Sequence, residues 1–322
     1  VITFLQSMNE SPSEDKVEKD LGVLKSNLLC VFSILLFAMG FPAAEYLLED
    51  WDVVSVMTAR NVFSFILIFM IWLAIEKGDK VKSAKWAKGF LIGVTGFGIG
   101  AFLILILQAL TTPVIAALAV ATMPVFAVSL EMLLDGRKMT LWFFCGVILV
   151  LLGGYIASGA SLNNEGIGFA ALMGVIGVML FAWGSRATVK NLPGMSTLGQ
   201  TAVTSSGMAG LSILLYFVCS IFFEVTESLE LITLEHLGLV LIYGWLGLGI
   251  SQIFWIKAVS RLGIGLASFH LNAVPFYVMF MLFLLGDSWI WHQAIGAVIV
   301  ISGVILAQQK SATRKAEFFE LP

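Results

Sequence analysis

The 322-residue chain is 59% hydrophobic and only 12% charged, with a mean hydropathy of +0.97. That composition excludes an ordinary soluble domain and makes the protein integral to a membrane. The formal net charge of −3 hides a segregation of acids from bases, and nothing in it resembles a nucleic-acid-binding surface.

In chain order, residues 1–23 read as a polar cytoplasmic tail. Val1 to Leu5 is too short an apolar stretch for a signal peptide, and Met8 is compatible with a native start that leaves residues 1–7 as upstream sequence. Ten apolar spans follow, at 24–44, 53–75, 88–108, 113–134, 140–158, 166–188, 197–222, 236–256, 264–285 and 289–308. Each approaches the roughly 20 residues needed to cross ~30 Å of hydrocarbon, and no room is left for a second, soluble domain. Thr111 and Thr112 alone separate spans three and four, and Asp135 to Met139 separate four from five, so neighbours run antiparallel. A cytoplasmic tail, 310–322, ends the chain.

Of the 18 Lys and Arg, all but Arg60 lie in the tails and even-numbered loops or at the span ends beside them. The odd-numbered loops are acidic instead, with Glu45, Glu49, Asp50 and Asp52 in the first and Glu224, Glu227, Glu230 and Glu235 in the seventh. Short basic loops stay cytoplasmic during insertion, so this split predicts a multi-pass protein with both termini on the cytoplasmic side. The run Lys77, Lys80, Lys82, Lys85 and Lys88 is then one such loop.

The two halves repeat. Leu36-Phe37-Ala38-Met39-Gly40 matches Leu180-Phe181-Ala182-Trp183-Gly184 at an offset of 144 residues, and Pro124, Gly146 and Gly153 correspond to Pro275, Gly296 and Gly303. Five spans per half is an odd number, so the second half enters from the opposite side. The expected fold is all-α, ten transmembrane helices in two inverted five-helix repeats at 24–158 and 166–309, an architecture that suits a secondary transporter.

On these residues the chain resembles the EamA-like family of the drug/metabolite transporter superfamily: Met39-Gly40-Phe41 and Trp183-Gly184 in the first span of each half, Arg60 in span two, Met123-Pro124-Val125 and Val274-Pro275-Phe276 in the fourth spans, and the acids Asp135 and Asp287 after them. The family more often shows Glu at those last positions. The resemblance implies a ten-helix permease of the cytoplasmic membrane that exports amino acids, other small metabolites or toxic compounds. It does not name the substrate.

Several residues are candidates for the transport path. Pro124 and Pro275 sit mid-span and lack the N–H that would bond the carbonyls of Val120 and Leu271; these oxygens either face a substrate or are satisfied by neighbours. Gly40 and Gly184 fall at opposite mouths of a central cavity, suited to gating or to close helix packing. Arg60, ionisable within hydrocarbon about 10 Å from a span end, either binds a substrate carboxylate or gates, or else snorkels or pairs with Glu45 as a topological anchor. His270 and Asn272 interrupt an apolar span just before Pro275. His270 is open to proton coupling or to a neutral interhelical hydrogen bond. Phe41, Trp183, Tyr243, Trp245, Gln252, Trp255 and Tyr277 complete a candidate lining, apolar with a few polar handles, suited to amphipathic metabolites or hydrophobic amino acids. Trp51, Trp72, Trp86, Trp142, Trp289 and Trp291 lie near span ends as interfacial anchors.

Cys30, Cys145 and Cys219 are odd in number and unclustered, so they read as packing residues, and no metal or cofactor is expected. His236, His270 and His292 are dispersed, with no ligand spacing and no nucleophile–base pair, so no enzyme is expected. The absence of a phosphate-binding Gly-x-x-x-x-Gly-Lys-Ser/Thr motif argues against an ATP-driven pump. A channel has no recognisable filter sequence. A nucleotide-sugar or phosphate-ester carrier needs several cavity cations, where the chain offers Arg60 with Lys257 and Arg261 at a helix end. The expected partners are a small-molecule substrate and the lipid bilayer, with proton coupling and a homodimer left open. The expected mechanism is alternating access through a cavity built from spans one, three, four, six, eight and nine, with five and ten bracing each half.

Overall fold

The computed structural model describes residues 14–76, 78–135, 140–157, 165–222 and 232–307. The readings of Met8, of Lys77, Arg137 and Lys138, of Glu224, Glu227 and Glu230, and of the C-terminal tail fall outside them. Every regular element among the described residues is helical: α1 (Glu14–Asp50), α2 (Val53–Ile75), the short α3 (Gly78–Lys82), α4 (Trp86–Ile92) and α5 (Ile99–Leu110) joined by a π segment, α6 (Pro113–Ala121), α7 (Met123–Asp135), α8 (Leu141–Ala157), α9 (Glu165–Asn191), α10 (Thr197–Phe222), α11 (Leu234–Leu241) joined by a second π segment to α12 (Ser251–Ser268), α13 (Val274–Leu284) and α14 (Trp291–Ala307).

Seven of the described helical runs are long and apolar enough to cross a membrane, and Leu141–Ala157 and Trp291–Leu306 are shorter apolar helices. One of the seven, Leu234–Leu284, has 51 residues. A straight helix of that length would measure about 75 Å, more than twice the thickness of hydrocarbon. It is not straight: Gly263, at φ 78° and ψ 160°, breaks it. That conformation is open essentially to glycine alone.

Helix pairing crosses between the halves. α1 packs on the second π segment and α12, α9 on α5 and the first π segment, α2 on α10, and α8 on α14. Glycines set the closest approaches. A Cβ on Gly247 would sit 3.1 Å from Gly40 Cα, and one on Gly184 would sit 3.0 Å from Gly96 Cα. Gly40 and Gly184 are the glycines related by the sequence repeat, and Gly96 and Gly247 lie in the two π segments, Gly93–Gly98 and Ile242–Ile250. α8 and α14 meet through the other repeated glycines, since a Cβ on Gly296 would lie 2.6 Å from the Gly153 carbonyl oxygen and one on Gly303 2.7 Å from that of Gly146. The helices that end the two halves therefore pack chiefly on each other.

The prolines stand at helix breaks. Pro124 and Pro275 each begin a new helix after an interruption: α6 ends at Ala121 before the Thr122 turn, and a 3-10 turn, Phe269–Ala273, precedes α13. The carbonyls of Val120 and Leu271 are not free, because Val120 accepts from the Thr122 N–H and Leu271 from the Val274 N–H. Tightening the backbone to shorter-range hydrogen bonds satisfies the groups a proline would otherwise strand.

The two ends of the bundle differ in charge. Glu45, Asp50, Asp52, Glu235 and Asp287 sit at one, the acidic end; Lys80, Lys82, Lys85, Lys88 and Lys190 sit at the other, the basic end. At the acidic end Asp52 caps α2 by accepting from the N–H groups of Val54 and Ser55. At the basic end Lys85 Nζ donates to the Pro193 carbonyl at 2.8 Å, tying two loops together.

Candidate functional site

Two small cavities lie on the axis of the bundle, stacked end to end. The one toward the basic end is lined by Ser33, Ile34 and Phe37 of α1, Ile104 of α5, Val120 and Met123 at the α6–α7 break, Val178 and Phe181 of α9, Ser251, Gln252 and Trp255 of α12, and Leu271. The one toward the acidic end is lined by Phe37, Gly40, Phe41, Arg60, Ala101, Ile104, Leu105, Gln108, Phe181, Tyr243 and Gly247. Phe37, Ile104 and Phe181 belong to both and form the partition between them. The cavities measure about 20 and 30 Å³. Each has room for one or two waters, so the axis is closed to any organic solute in this conformation.

Arg60 governs the chamber at the acidic end. Its side chain is buried, with Nη1 3.2 Å from Tyr243 Oη and the guanidinium carbon 4.8 Å from the centre of the Tyr243 ring. Gly244 permits this: a Cβ there would meet the Arg60 carbonyl at 3.0 Å, so α2 comes close enough to present its arginine to the neighbouring tyrosine. Nε has no hydrogen-bond partner. The expected alternatives of snorkelling or pairing with Glu45 do not hold, because the cation–π contact and phenol hydrogen bond draw Arg60 inward. Glu45 is engaged elsewhere, its Oε2 accepting from Gln108 Nε2 at 3.3 Å while the same amide donates to the Phe41 carbonyl at 2.8 Å.

In the chamber at the basic end, Ser33 Oγ donates to the Ser251 carbonyl at 2.8 Å, and Trp255 Nε1 donates to Ser185 Oγ at 3.0 Å. Gln252 is buried there, with its Nε2 unpartnered. Polar atoms are few and widely spaced within an apolar lining. That pattern suits recognition of an amphipathic solute.

The remaining candidates fall elsewhere. His270, Asn272 and Tyr277 line a separate side groove of about 320 Å³ with Val31, Ile34, Phe269 and Phe276. Ile34 alone is common to that groove and the axial chamber. His270 Nδ1 lies 3.3 Å from the Ala267 carbonyl, a contact within its own turn, and Asn272 Oδ1 is unpartnered. Trp183 and Trp245 line none of these cavities, and Trp245 is 38% exposed. Each stands two residues from a lining aromatic, Phe181 and Tyr243 respectively. Two residues turn a helix by about 200°, so the tryptophans point away from the path their neighbours face. Pro124, Pro275 and Gly184 shape and pack the helices without lining the axial chambers.

Two tryptophans expected at the interface are buried in protein. Trp51 packs on the His236 ring at 5.3 Å, and Trp72 on Trp86 at 5.7 Å. Sequence reasoning passed over several groups. Phe37, Ile104 and Phe181 look like any apolar span residues; the Leu36–Gly40 and Leu180–Gly184 match contained the signal for two of them. His236, dispersed in sequence from the other two histidines, has its Nε2 2.8 Å from Asp50 Oδ2 and its Nδ1 3.0 Å from Thr233 Oγ1, joining the end of α1 to the start of α11. The Thr233-x-x-His236 capping arrangement was the local sign. Asn61 Nδ2 donates to Ser212 Oγ at 2.9 Å, tying α2 to α10.

Comparison with known proteins agrees with this architecture. The model of the EamA-like transporter family matches residues 24–159. The uncharacterized transporter YyaM of Bacillus subtilis (strain 168) is 26% identical over 289 residues, covering 87% of this chain and 92% of its own. A protein crystal structure shares the fold with a TM-score of 0.66 at 19% identity, over 91% of this chain and 98% of its own; at that identity it speaks for the fold alone. The chain is a multi-pass membrane protein whose residues 24–159 match the EamA-like transporter family and which is similar, over most of its length, to a transporter.

Proposed function

We propose that the protein exports amino acids or related amphipathic metabolites across the cytoplasmic membrane by alternating access. Ten crossings in two inverted five-helix repeats carry it, at 24–158 and 166–309, with both termini and the basic end cytoplasmic. The break at Gly263 and the two shorter apolar helices support that count, and the repeat-related glycine contacts support the inversion. The positive-inside distribution supports the orientation.

The observation that carries the reading is the pair of axial chambers on either side of Phe37, Ile104 and Phe181, lined from both halves. A carrier needs a site that faces one side at a time, and a partition between two chambers is the closed state such a device passes through. Arg60 and Tyr243 would receive a carboxylate, Gln252 would offer a hydrogen bond, and Phe37, Phe41 and Phe181 would take an apolar side chain. Gly40 and Gly184 serve as sliding contacts between the helices that rock.

Counterflow tests this directly. Proteoliposomes preloaded with unlabelled amino acids and amphipathic metabolites should take up the labelled compound in a saturable exchange, which Arg60→Met should reduce at least tenfold for carboxylate-bearing substrates. No exchange by correctly inserted, folded protein would contradict the metabolite-exporter reading. Exchange confined to phosphorylated compounds would replace it with that of a phosphate-ester carrier.

A further inference from the structure

A third cavity, separate from the axial chambers, opens at the acidic end. It measures about 200 Å³ and is bounded by Glu45, Pro113, Leu282, Asp287, Trp289 and Gln293, among others. Its two carboxylates come from opposite halves, Glu45 from the last turns of α1 and Asp287 from the turn after α13. Burial pushes the Glu45 carboxyl up, the Gln108 hydrogen bond opposes this, and the charges of Glu49 and Asp287 add to the upward push. No Lys or Arg among the described residues lines the cavity, so none of them relieves this repulsion within it. Gln293 is an independent sign of a ligand. It is only 6% exposed, lines the cavity, and makes no hydrogen bond among the described residues. Its amide is open to the cavity, where a bound group can reach it.

The geometry points to a binding site for a primary ammonium group borne on an apolar body. The cation would sit between the Glu45 and Asp287 carboxylates with Gln293 supplying a neutral acceptor, and the apolar part would lie against Trp289, Leu282 and Pro113. The site sits beside a bolt. Gln108 lines the Arg60 chamber and donates to Glu45, which lines this cavity, so the Gln108–Glu45 hydrogen bond lies in the wall between them. An ammonium group that takes the Glu45 carboxylate removes that acceptor from Gln108 and loosens the wall. As an account of what is carried, this rests on the transport reading above: with Arg60 receiving a carboxylate, the pair selects a zwitterion and passes its ammonium end through the acidic mouth.

The test is calorimetric titration of purified full-length protein with phenethylammonium, with phenethyl alcohol and phenylacetate as the neutral and anionic comparators. Binding of the ammonium ion alone is expected, with Glu45→Gln and Asp287→Asn each raising Kd at least tenfold and Glu45→Asp retaining most of the affinity. Thermal unfolding of each variant checks folding. Asp287 is exposed, so Asp287→Asn carries the test even if Glu45→Gln fails to fold. Equal binding of the alcohol, no binding of the ammonium ion, or affinities unchanged in folded variants would overturn the site. Flux is measured separately. Ammonium binding without counterflow leaves the site standing and removes the transport reading, whereas counterflow of a zwitterion with an unchanged KM in Asp287→Asn removes the site from the path and leaves transport standing.

Discussion

At the scale of single residues, Arg60 shows how a costly group is made tolerable without an ion pair among the described residues. Its guanidinium lies on an aromatic face and donates to that ring's hydroxyl, while Nε stays unpartnered. A cation over a desolvated ring gains up to about 2 kcal/mol. Tyr243→Phe keeps the ring and removes the hydroxyl, so it should leave folding intact and lower exchange of carboxylate substrates by a few-fold, whereas Tyr243→Ala should lower both Tm and exchange. Equal loss of exchange in the two variants, measured by counterflow beside thermal unfolding, would contradict this division of roles. The neighbourhood of Arg60 was only partly legible in the sequence. Its intramembrane position marked it as unusual, but its partner is 183 residues away, and whether it turned outward to Glu45 or inward to Tyr243 depended on how close Gly244 lets two helices come.

At the scale of elements, the informative features are interruptions. Gly263 separates two apolar helices with a backbone conformation that a side chain resists, and nothing lies within 4 Å of a Cβ placed there. Gly263→Ala should therefore cost about 1–3 kcal/mol through backbone strain alone, read as a lowered Tm with ligand affinity unchanged. A stability equal to the natural protein would mean the break does not need glycine. Gly153→Leu acts differently, since a Cβ at that position already meets Val300 N at 2.7 Å and Gly296 O at 2.8 Å. Here overpacking should cost about 1–3 kcal/mol and part α8 from α14. The sequence announced Gly146, Gly153, Gly296 and Gly303 by their seven-residue spacing, and announced the helix breaks at Pro124 and Pro275, but held no sign of the break at Gly263. It did not announce the rotation of Trp183 and Trp245 away from the axis, because deep placement along a span says nothing about which way a side chain faces. Nor did it announce the pairing of α8 with α14, since the same spacing serves a contact within a half or across the two.

For the whole molecule, the account turns on two halves that share one path and on a partition that closes it. Apolar periodicity and loop charge were enough to expect a helical multi-pass membrane protein, because the bilayer leaves few alternatives for a chain so apolar, and the internal repeat added the expectation of a transporter. The side groove at His270 was not separable from the axial path in the sequence, since Ile34 and Leu271, which lie between them, are ordinary apolar residues. His270→Ala should accordingly leave counterflow of a neutral zwitterion within about twofold of the natural protein, and a loss comparable to that of Arg60→Met would place His270 on the path after all. The most direct test of the central claim is reciprocal accessibility. In a background with Cys30, Cys145 and Cys219 replaced by Ala, Ser33→Cys reports the chamber at the basic end and Gln108→Cys the chamber at the acidic end. Each is labelled from one side of a sealed vesicle with a membrane-impermeant thiol reagent, with and without substrate. Alternating access predicts that substrate changes the two labelling rates in opposite directions, one rising as the other falls. Simultaneous rapid labelling of both sites, as in an open pore, or rates indifferent to substrate would contradict it.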